Sequence, residues 1–253
     1  MSAEDRTGWL LALDASTPRA VIVLGRVGAD GAELVVADDE DDGPNQASGR
    51  LMPRIERALA AASIAAAQLS AIACGRGPGT FTGTRVAIAS AQGLAYGLGI
   101  DAVAVSTLAA VAASAGYSGE VLAILDARRS EVYAGRFRCE LGSTRAGIEA
   151  VGAESVEPLS PLLEALGPGS EPTRIVGSGV EPYRSDLEQA GLAGTAMALP
   201  GPTAAGLWAA ATSAWATDGG RHPAGLEAIY LRASYAEMGI NAPKRPFVKS
   251  PFV

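Results

Sequence analysis

The sequence's clearest candidate for chemistry is the stretch Ala73–Gly93, ACGRGPGTFTGTRVAIASAQG, a glycine loop between an apolar run and a helical segment. Loops of this kind cradle phosphates when their backbone N–H groups converge at a helix start. The spacing argues against the two standard versions. A Walker loop needs a lysine after its last glycine, and here Gly83 is followed by Thr84 and Arg85. A dinucleotide fingerprint is G-x-G-x-x-G, whereas Gly77, Gly79 and Gly83 are spaced one residue too long. The helix N-terminus can still meet an anion. A second candidate is Asp14-Ala15-Ser16-Thr17. An aspartate followed by small hydroxyl residues either holds a metal-bound phosphate or forms an ordinary Asx/ST turn. A third is VGSGVEPY, Val176–Tyr183, a strand, glycine turn and helix start of the kind that packs on a nucleobase. Cys74, Cys139 and the single histidine, His222, show no metal-ligand spacing. A Ser-His-Asp triad would rest on His222, within the Gly/Pro-rich DGGRHPAG.

The elements that position these residues repeat. Leu10–Val27 (LLALDASTPRAVIVLGRV) and Leu122–Arg138 (LAILDARRSEVYAGRFR) each run from an apolar strand ending in aspartate, Asp14 or Asp126, through a polar turn into a second strand. Both read as β-hairpins, about half a chain apart, and suggest a duplicated lobe. Between them the pattern is helical. Leu51, Ile55 and Leu59 share one face of ASGRLMPRIERALAAASI, with Arg50, Arg54 and Arg57 off that line and Pro53 at the helix start or kinking it. LSAIACG reads as a buried strand, Thr84–Leu98 as a helix, and IDAVAVS as a strand before a helix capped by Ser106 or Thr107. In the second half, helices are expected near Leu159–Leu166, over Pro182–Ala190 and in TAAGLWAAATSAWATDG, with a strand in TRIVGSG. The alternation is that of an α/β protein. Along the Thr84–Leu98 helix, Gly83, Ala87, Ala91, Ala95 and Gly99 fall every four residues, a ridge that lets another backbone approach closely.

Composition narrows the function. A chain of 253 residues, 48% hydrophobic and 19% charged, buries a substantial core. Its net charge of −7 suits poorly the gripping of nucleic acid through counterion release, so any RNA contact is expected through a partner. Two cysteines are too few for a disulfide scaffold and fit a reduced cytosolic pair. The polar, acidic start MSAEDRTGW is no signal peptide, and the uncharged run Met197–Thr217 is broken by PGP. A cytoplasmic location without membrane attachment is expected.

Taken in order, LALDASTPRAVIVL, ASGRLMPRIERAL, GRGPGTFTGTRVAIASAQGLAYGLGIDAVAVSTL, DARRSEVYAG, IVGSGV and AIYLR resemble the TsaB/YeaZ family of the tRNA threonylcarbamoyladenosine machinery, from about Trp9 to Arg232. The resemblance implies an α/β, two-lobed actin/Hsp70/sugar-kinase-like (ASKHA) fold with duplicated lobes, each opening with a β-hairpin. It implies a first lobe over 8–110 completed by the helix 203–218 and a second lobe over 111–202; the tail 233–253, whose NAPKRPFVKSPFV carries three prolines and three basic residues and whose KSPFV end has no family counterpart, is expected to be flexible. The family member is not itself catalytic. It pairs with a TsaD-like catalytic paralogue, joined by a TsaE-like ATPase. That complex modifies the adenosine beside the anticodon in tRNAs reading ANN codons. Alone, a homodimer is expected, because an apolar face would be uncovered.

By that resemblance the partner interface lies on two first-lobe helices and includes Gln46, Arg50, Leu51, Arg54, Ile55, Thr82, Thr84, Arg85 and Ala89. A vestigial nucleotide site would comprise Asp14, Ser16, Thr17, Asp126, Gly177 and Gly179. No cofactor or metal of its own is implied, and ATP or ADP would sit at the subunit interface. Where family members often read HSERLLP this chain reads ASGRLMP, so Ala47 and Gly49 replace a histidine and a glutamate while Arg50, Leu51 and Pro53 match. The competing reading on the same fold is a stand-alone ATP-dependent small-molecule kinase using Asp14 and Asp126 with Mg²⁺.

Overall fold

The computed structural model describes residues 7–39, 47–142, 146–165 and 174–232. The apolar run at the start forms β1 (Gly8–Asp14), buried along its last five residues and therefore central. It turns back as β2 (Val21–Gly28), antiparallel, with Asp14 opposite Val21. A third strand, β3 (Gly31–Asp38), lies at the edge, and β4 (Leu69–Gly75) and β5 (Asp101–Val105) add in parallel on the other side of β1. The order is β3-β2-β1-β4-β5.

The second half repeats this arrangement. β6 (Gly119–Asp126) and β7 (Val132–Leu141) form the second hairpin, with Asp126 opposite Val132. β8 (Ala146–Ala150) flanks β7, which also pairs with the short β9 (Ser155–Glu157). β10 (Arg174–Gly177) and β11 (Ala196–Ala198) extend the other side in parallel. Read from its β8 edge, this sheet runs β8-β7-β6-β10-β11, the order of the first. The duplicated α/β architecture expected from the two hairpins is therefore present.

The helices are α1 (Ala47–Ala61), α2 (Phe81–Leu98), α3 (Thr107–Ala113), α4 (Leu159–Ala165), α5 (Arg184–Gln189) and α6 (Ala204–Asp218). α1 and α2 cover one face of the first sheet, burying Leu51, Ile55, Ala58, Ala87, Ile88 and Ala91 against Leu11, Leu13, Ile22 and Ile72. Its other face is covered by α6 through Leu207, Trp208, Ala211 and Trp215. α3 follows the first sheet in sequence but packs on the second, with Leu108, Val111 and Ala112 against Val121, Ala123 and Phe137. α3 and α6 thus form a shared layer between the lobes. They cross closely because Gly206 has no side chain; a Cβ there would lie under 3.0 Å from Ser114 and the Ala110 carbonyl.

Boundaries differ from the sequence expectation in understandable ways. α2 begins at Phe81 rather than Thr84, with Thr80 at its N-cap. Pro53 lies inside α1 on its exposed side, not at its start. The edge strands β3, β8, β9 and β11 were not expected: they are short or only partly buried, so hydrophobic patterning marks them weakly. The tail 233–253 lies outside the described residues. Among the described residues no helix is long and apolar enough to cross a membrane.

Candidate functional site

The turn after β1 is filled by the protein's own backbone. Asp14 is fully buried, and its Oδ2 accepts the Thr107 hydroxyl proton at 2.7 Å while Oδ1 accepts the Ser16 amide at 2.6 Å. The Thr80 amide donates to the Ser16 carbonyl at 2.6 Å, and the Thr107 amide to the Gly77 carbonyl at 2.9 Å. Glycine is required where these chains touch. A Cβ at Gly75 would meet the Asp14 carboxyl, at Gly79 the Ser16 backbone, and at Gly83 the Ala15 carbonyl, each under 3.0 Å. Gly201 closes on Thr17 in the same way. The glycine loop is therefore shaped to lie against the first hairpin rather than to hold phosphate. Burial pushes the Asp14 carboxyl above its usual range, opposed by the Thr107 hydroxyl and Ser16.

The second-lobe residues are equally committed. Gly177 (φ +129°) and Gly179 fold back onto β6, where the Gly179 amide donates to the Ile124 carbonyl at 3.1 Å. A Cβ at Gly177 would strike that carbonyl. Asp126 accepts the Arg128 amide at 2.8 Å, and its own amide donates to Ser178 at 3.2 Å. So Asp14, Ser16 and Thr17, and Asp126, Gly177 and Gly179, are each brought together within a lobe, as local turns and packing contacts. The residues expected at a vestigial nucleotide site thus make chain contacts within each lobe, except that the Ser16 hydroxyl is buried without a hydrogen-bond partner among the described residues.

A side-chain contact joins the start of α3 to the second lobe. Ser106, the N-cap of α3, bonds to Glu154 from the second lobe, whose other carboxylate oxygen is buried without a hydrogen-bond partner among the described residues. Burial pushes the Glu154 carboxyl up, opposed by the Ser106 hydroxyl and the Arg76 charge. The folded state thus holds this proton more tightly than the unfolded chain. Its contribution to stability is present below the ordinary glutamate range and is lost as pH rises through the folded pKa. Glu154→Gln, neutral at every pH, is expected to melt above the wild type at pH 8 and to lose that advantage toward pH 4. Melting curves that stay parallel from pH 4 to 8 would contradict this.

The exposed face lies on α1 and α2, and it corrects the residue set expected from sequence. Leu51 and Ile55 are core residues. Arg54 is 1% exposed, its guanidinium held on the Asp38 carboxylate through Nη2 at 2.6 Å and Nε at 2.9 Å. Thr84 is buried and donates to the Thr80 carbonyl at 2.9 Å. These four are closed inside the monomer. Arg54 lies about one turn from Leu51 and directly before Ile55, and its counterion sits at the end of β3, a strand the sequence did not announce. Gln46 lies outside the described residues. Arg50, Thr82, Arg85 and Ala89 are exposed.

Arg85 is the centre of a cluster. Its guanidinium lies 3.9 Å over the Phe81 ring and its Nε donates to the Tyr230 hydroxyl at 2.9 Å. Phe81 and Tyr230 stack with centroids 5.7 Å apart. Tyr230 was missed as a site residue; its motif AIYLR gave only a family signature, with no local pattern pointing to α2. Exposed Met52, Phe81, Tyr96 and Tyr230 all sit on α1, α2 or the segment crossing α2. Exposed aromatics grouped with a cation, as Phe81 and Tyr230 are with Arg85, are the composition enriched at protein interfaces.

A family model described as "TsaD: tRNA N6-adenosine threonylcarbamoyltransferase" matches residues 45–173, just over half of the chain. An uncharacterised protein of Mycobacterium leprae is 34% identical over 247 residues, covering 94% of this chain and 58% of that protein. The tRNA threonylcarbamoyladenosine biosynthesis protein TsaB of Escherichia coli is 35% identical over 127 residues, 49% of this chain and 52% of TsaB. The chain thus spans little more than half the length of these two relatives. The solved structure of YeaZ from Pseudomonas aeruginosa superimposes with a TM-score of 0.73 at 31% identity, over 88% of this chain and 100% of that one. With the glycine loop, the paired hairpins and the likeness to YeaZ over that protein's whole length, the chain belongs to the TsaB/YeaZ family.

Proposed function

We propose that this protein is a non-catalytic subunit of the machinery that forms threonylcarbamoyladenosine in tRNA, acting by docking a TsaD-like catalytic paralogue on its α1/α2 face. The observation that carries the reading is the contrast between its two surfaces. The turn where a kinase of this fold would hold phosphate is packed with the chain's own backbone, while α1 and α2 present exposed apolar and cationic groups. The pathway named for E. coli TsaB supplies the reaction. In this reading a TsaE-like ATPase joins the pair, ATP or ADP belongs to the subunit interface, and tRNA is reached through the complex. The uncovered face pairs two copies when the partner is missing. The kinase alternative loses the open site it needs at Asp14.

Arg85→Glu puts a carboxylate where the exposed guanidinium stands. It is expected to weaken paralogue binding by about 1–2 kcal/mol or more, as for an interface anchor, read by titration of the purified partners. Unchanged affinity, with the variant folded, would remove Arg85 from the interface.

A further inference from the structure

The last described segment, Leu226–Arg232, is a strap joined to both lobes. Leu226 is buried in the first-lobe core, and its carbonyl and that of Pro223 accept from Gln92 of α2 at 3.2 Å. The Ile229 amide donates to the Arg76 carbonyl at 2.9 Å, and Tyr230 accepts from Arg85 and stacks on Phe81. Two residues on, Arg232 crosses to the second lobe. Its Nη1 donates to the Ala127 carbonyl at 2.6 Å, it pairs with Glu131, and its guanidinium lies 6.0 Å from the Tyr133 ring.

We propose that Tyr230 belongs to the docking surface and that Arg232, from the other lobe, is the positioning residue that holds it there. This rests on the docking reading above. Tyr230 is 50% exposed and Phe81 48%, so the ring pair faces outward while one edge is fixed by Arg85. Large aromatics anchored this way lose little side-chain entropy on binding, and tyrosine is among the residues enriched at interface hot spots. The strap has no helix or strand of its own between Leu226 and Arg232. Its position therefore depends on a few bonds, and among the described residues the Arg232 clamp on Ala127 and Glu131 is the one beyond Tyr230. Arg85 lies against exposed Phe81 and Tyr230, and Arg50, Met52 and Arg57 are exposed on α1, which packs beside α2. The occupant that fits is the catalytic paralogue presenting an apolar helix face rimmed by carboxylates.

The test is a double-mutant cycle on the full chain, with affinity for the purified TsaD-like paralogue as the readout and circular dichroism as the folding check. Tyr230→Ala is expected to weaken binding about tenfold or more, the size of an interface anchor, and Tyr230→Phe to stay near wild type. Arg232→Ala is expected to weaken binding several-fold, to lower hydrogen-exchange protection of the Ile229 amide, and to add nothing in the Tyr230→Ala background. Tyr230→Ala binding like the wild type overturns the proposal, as does an Arg232 effect that persists undiminished without Tyr230. Loss of self-association with paralogue binding intact makes a second copy the occupant and overturns it as well. A wild-type chain that fails to bind the paralogue defeats the docking reading itself, a result separate from all of these.

Discussion

Gly83→Ala is expected to destabilise this protein by about 3 kcal/mol or more, although the same exchange inside a helix ordinarily stabilises it by up to about 1 kcal/mol. The sign turns on two close contacts. Gly83 lies in the first turn of α2, where an added methyl would sit under 3.0 Å from both the Ala15 carbonyl and the Thr80 hydroxyl. Neither can yield cheaply. Ala15 belongs to the turn that holds buried Asp14, and Thr80 donates its amide to the neighbouring Ser16 carbonyl. The helix start would have to lift from the hairpin and break those bonds. Gly93 and Gly97, on the same helix, have open space where a Cβ would go. Alanine there is expected to stabilise by about 0.5–1 kcal/mol, as propensity dictates. Urea unfolding of the three variants checks this, and a stabilising Gly83→Ala would show that α2 is not seated on the hairpin as described.

Removing the buried guanidinium of α1 is the second large effect. Arg54→Ala is expected to cost about 3–5 kcal/mol, the range for breaking one side of a buried ion pair. Asp38 is itself only 14% exposed, so its carboxylate would be left with little water to replace Nη2 and Nε. The charge alone is not what matters. Arg57 also approaches Asp38, at 3.6 Å, but its side chain is 63% exposed. Arg57→Ala is expected to change stability by about 0–0.5 kcal/mol, as surface pairs do. Replacing the whole pair, as Arg54→Met with Asp38→Leu, is expected to recover most of the loss, since apolar isosteres remove the desolvation cost. Equal effects of Arg54→Ala and Arg57→Ala in denaturant titrations would contradict this account of α1.

Much of this was legible in the sequence. Two apolar runs ending in Asp14 and Asp126 announced the hairpins, and the small-residue ridge Gly83, Ala87, Ala91 and Ala95 announced a closely packed helix, now seen buried on the first sheet. The failure of both phosphate patterns on spacing also agreed with a loop whose glycines meet backbone. What the sequence withheld depends on contacts distant along the chain. Arg54 reads as one more surface arginine until β3 brings Asp38 beneath it. Leu51 was read both as part of a helical stripe and as a partner contact, and only the sheet decides that this stripe faces inward. Tyr230 lies 145 residues from Arg85, and no local periodicity connects them. The exposed site is therefore composite, and its C-terminal part had no signal beyond a short motif.

The most direct measurement is co-expression of the unmodified chain with the TsaD-like paralogue of its own genome, followed by size-exclusion chromatography with light scattering. The docking account predicts one shared species whose mass accommodates both chains. Two separate species, each at the mass it shows alone and unchanged by nucleotide and the TsaE-like ATPase, would contradict it and leave the α1/α2 face without the partner assigned to it.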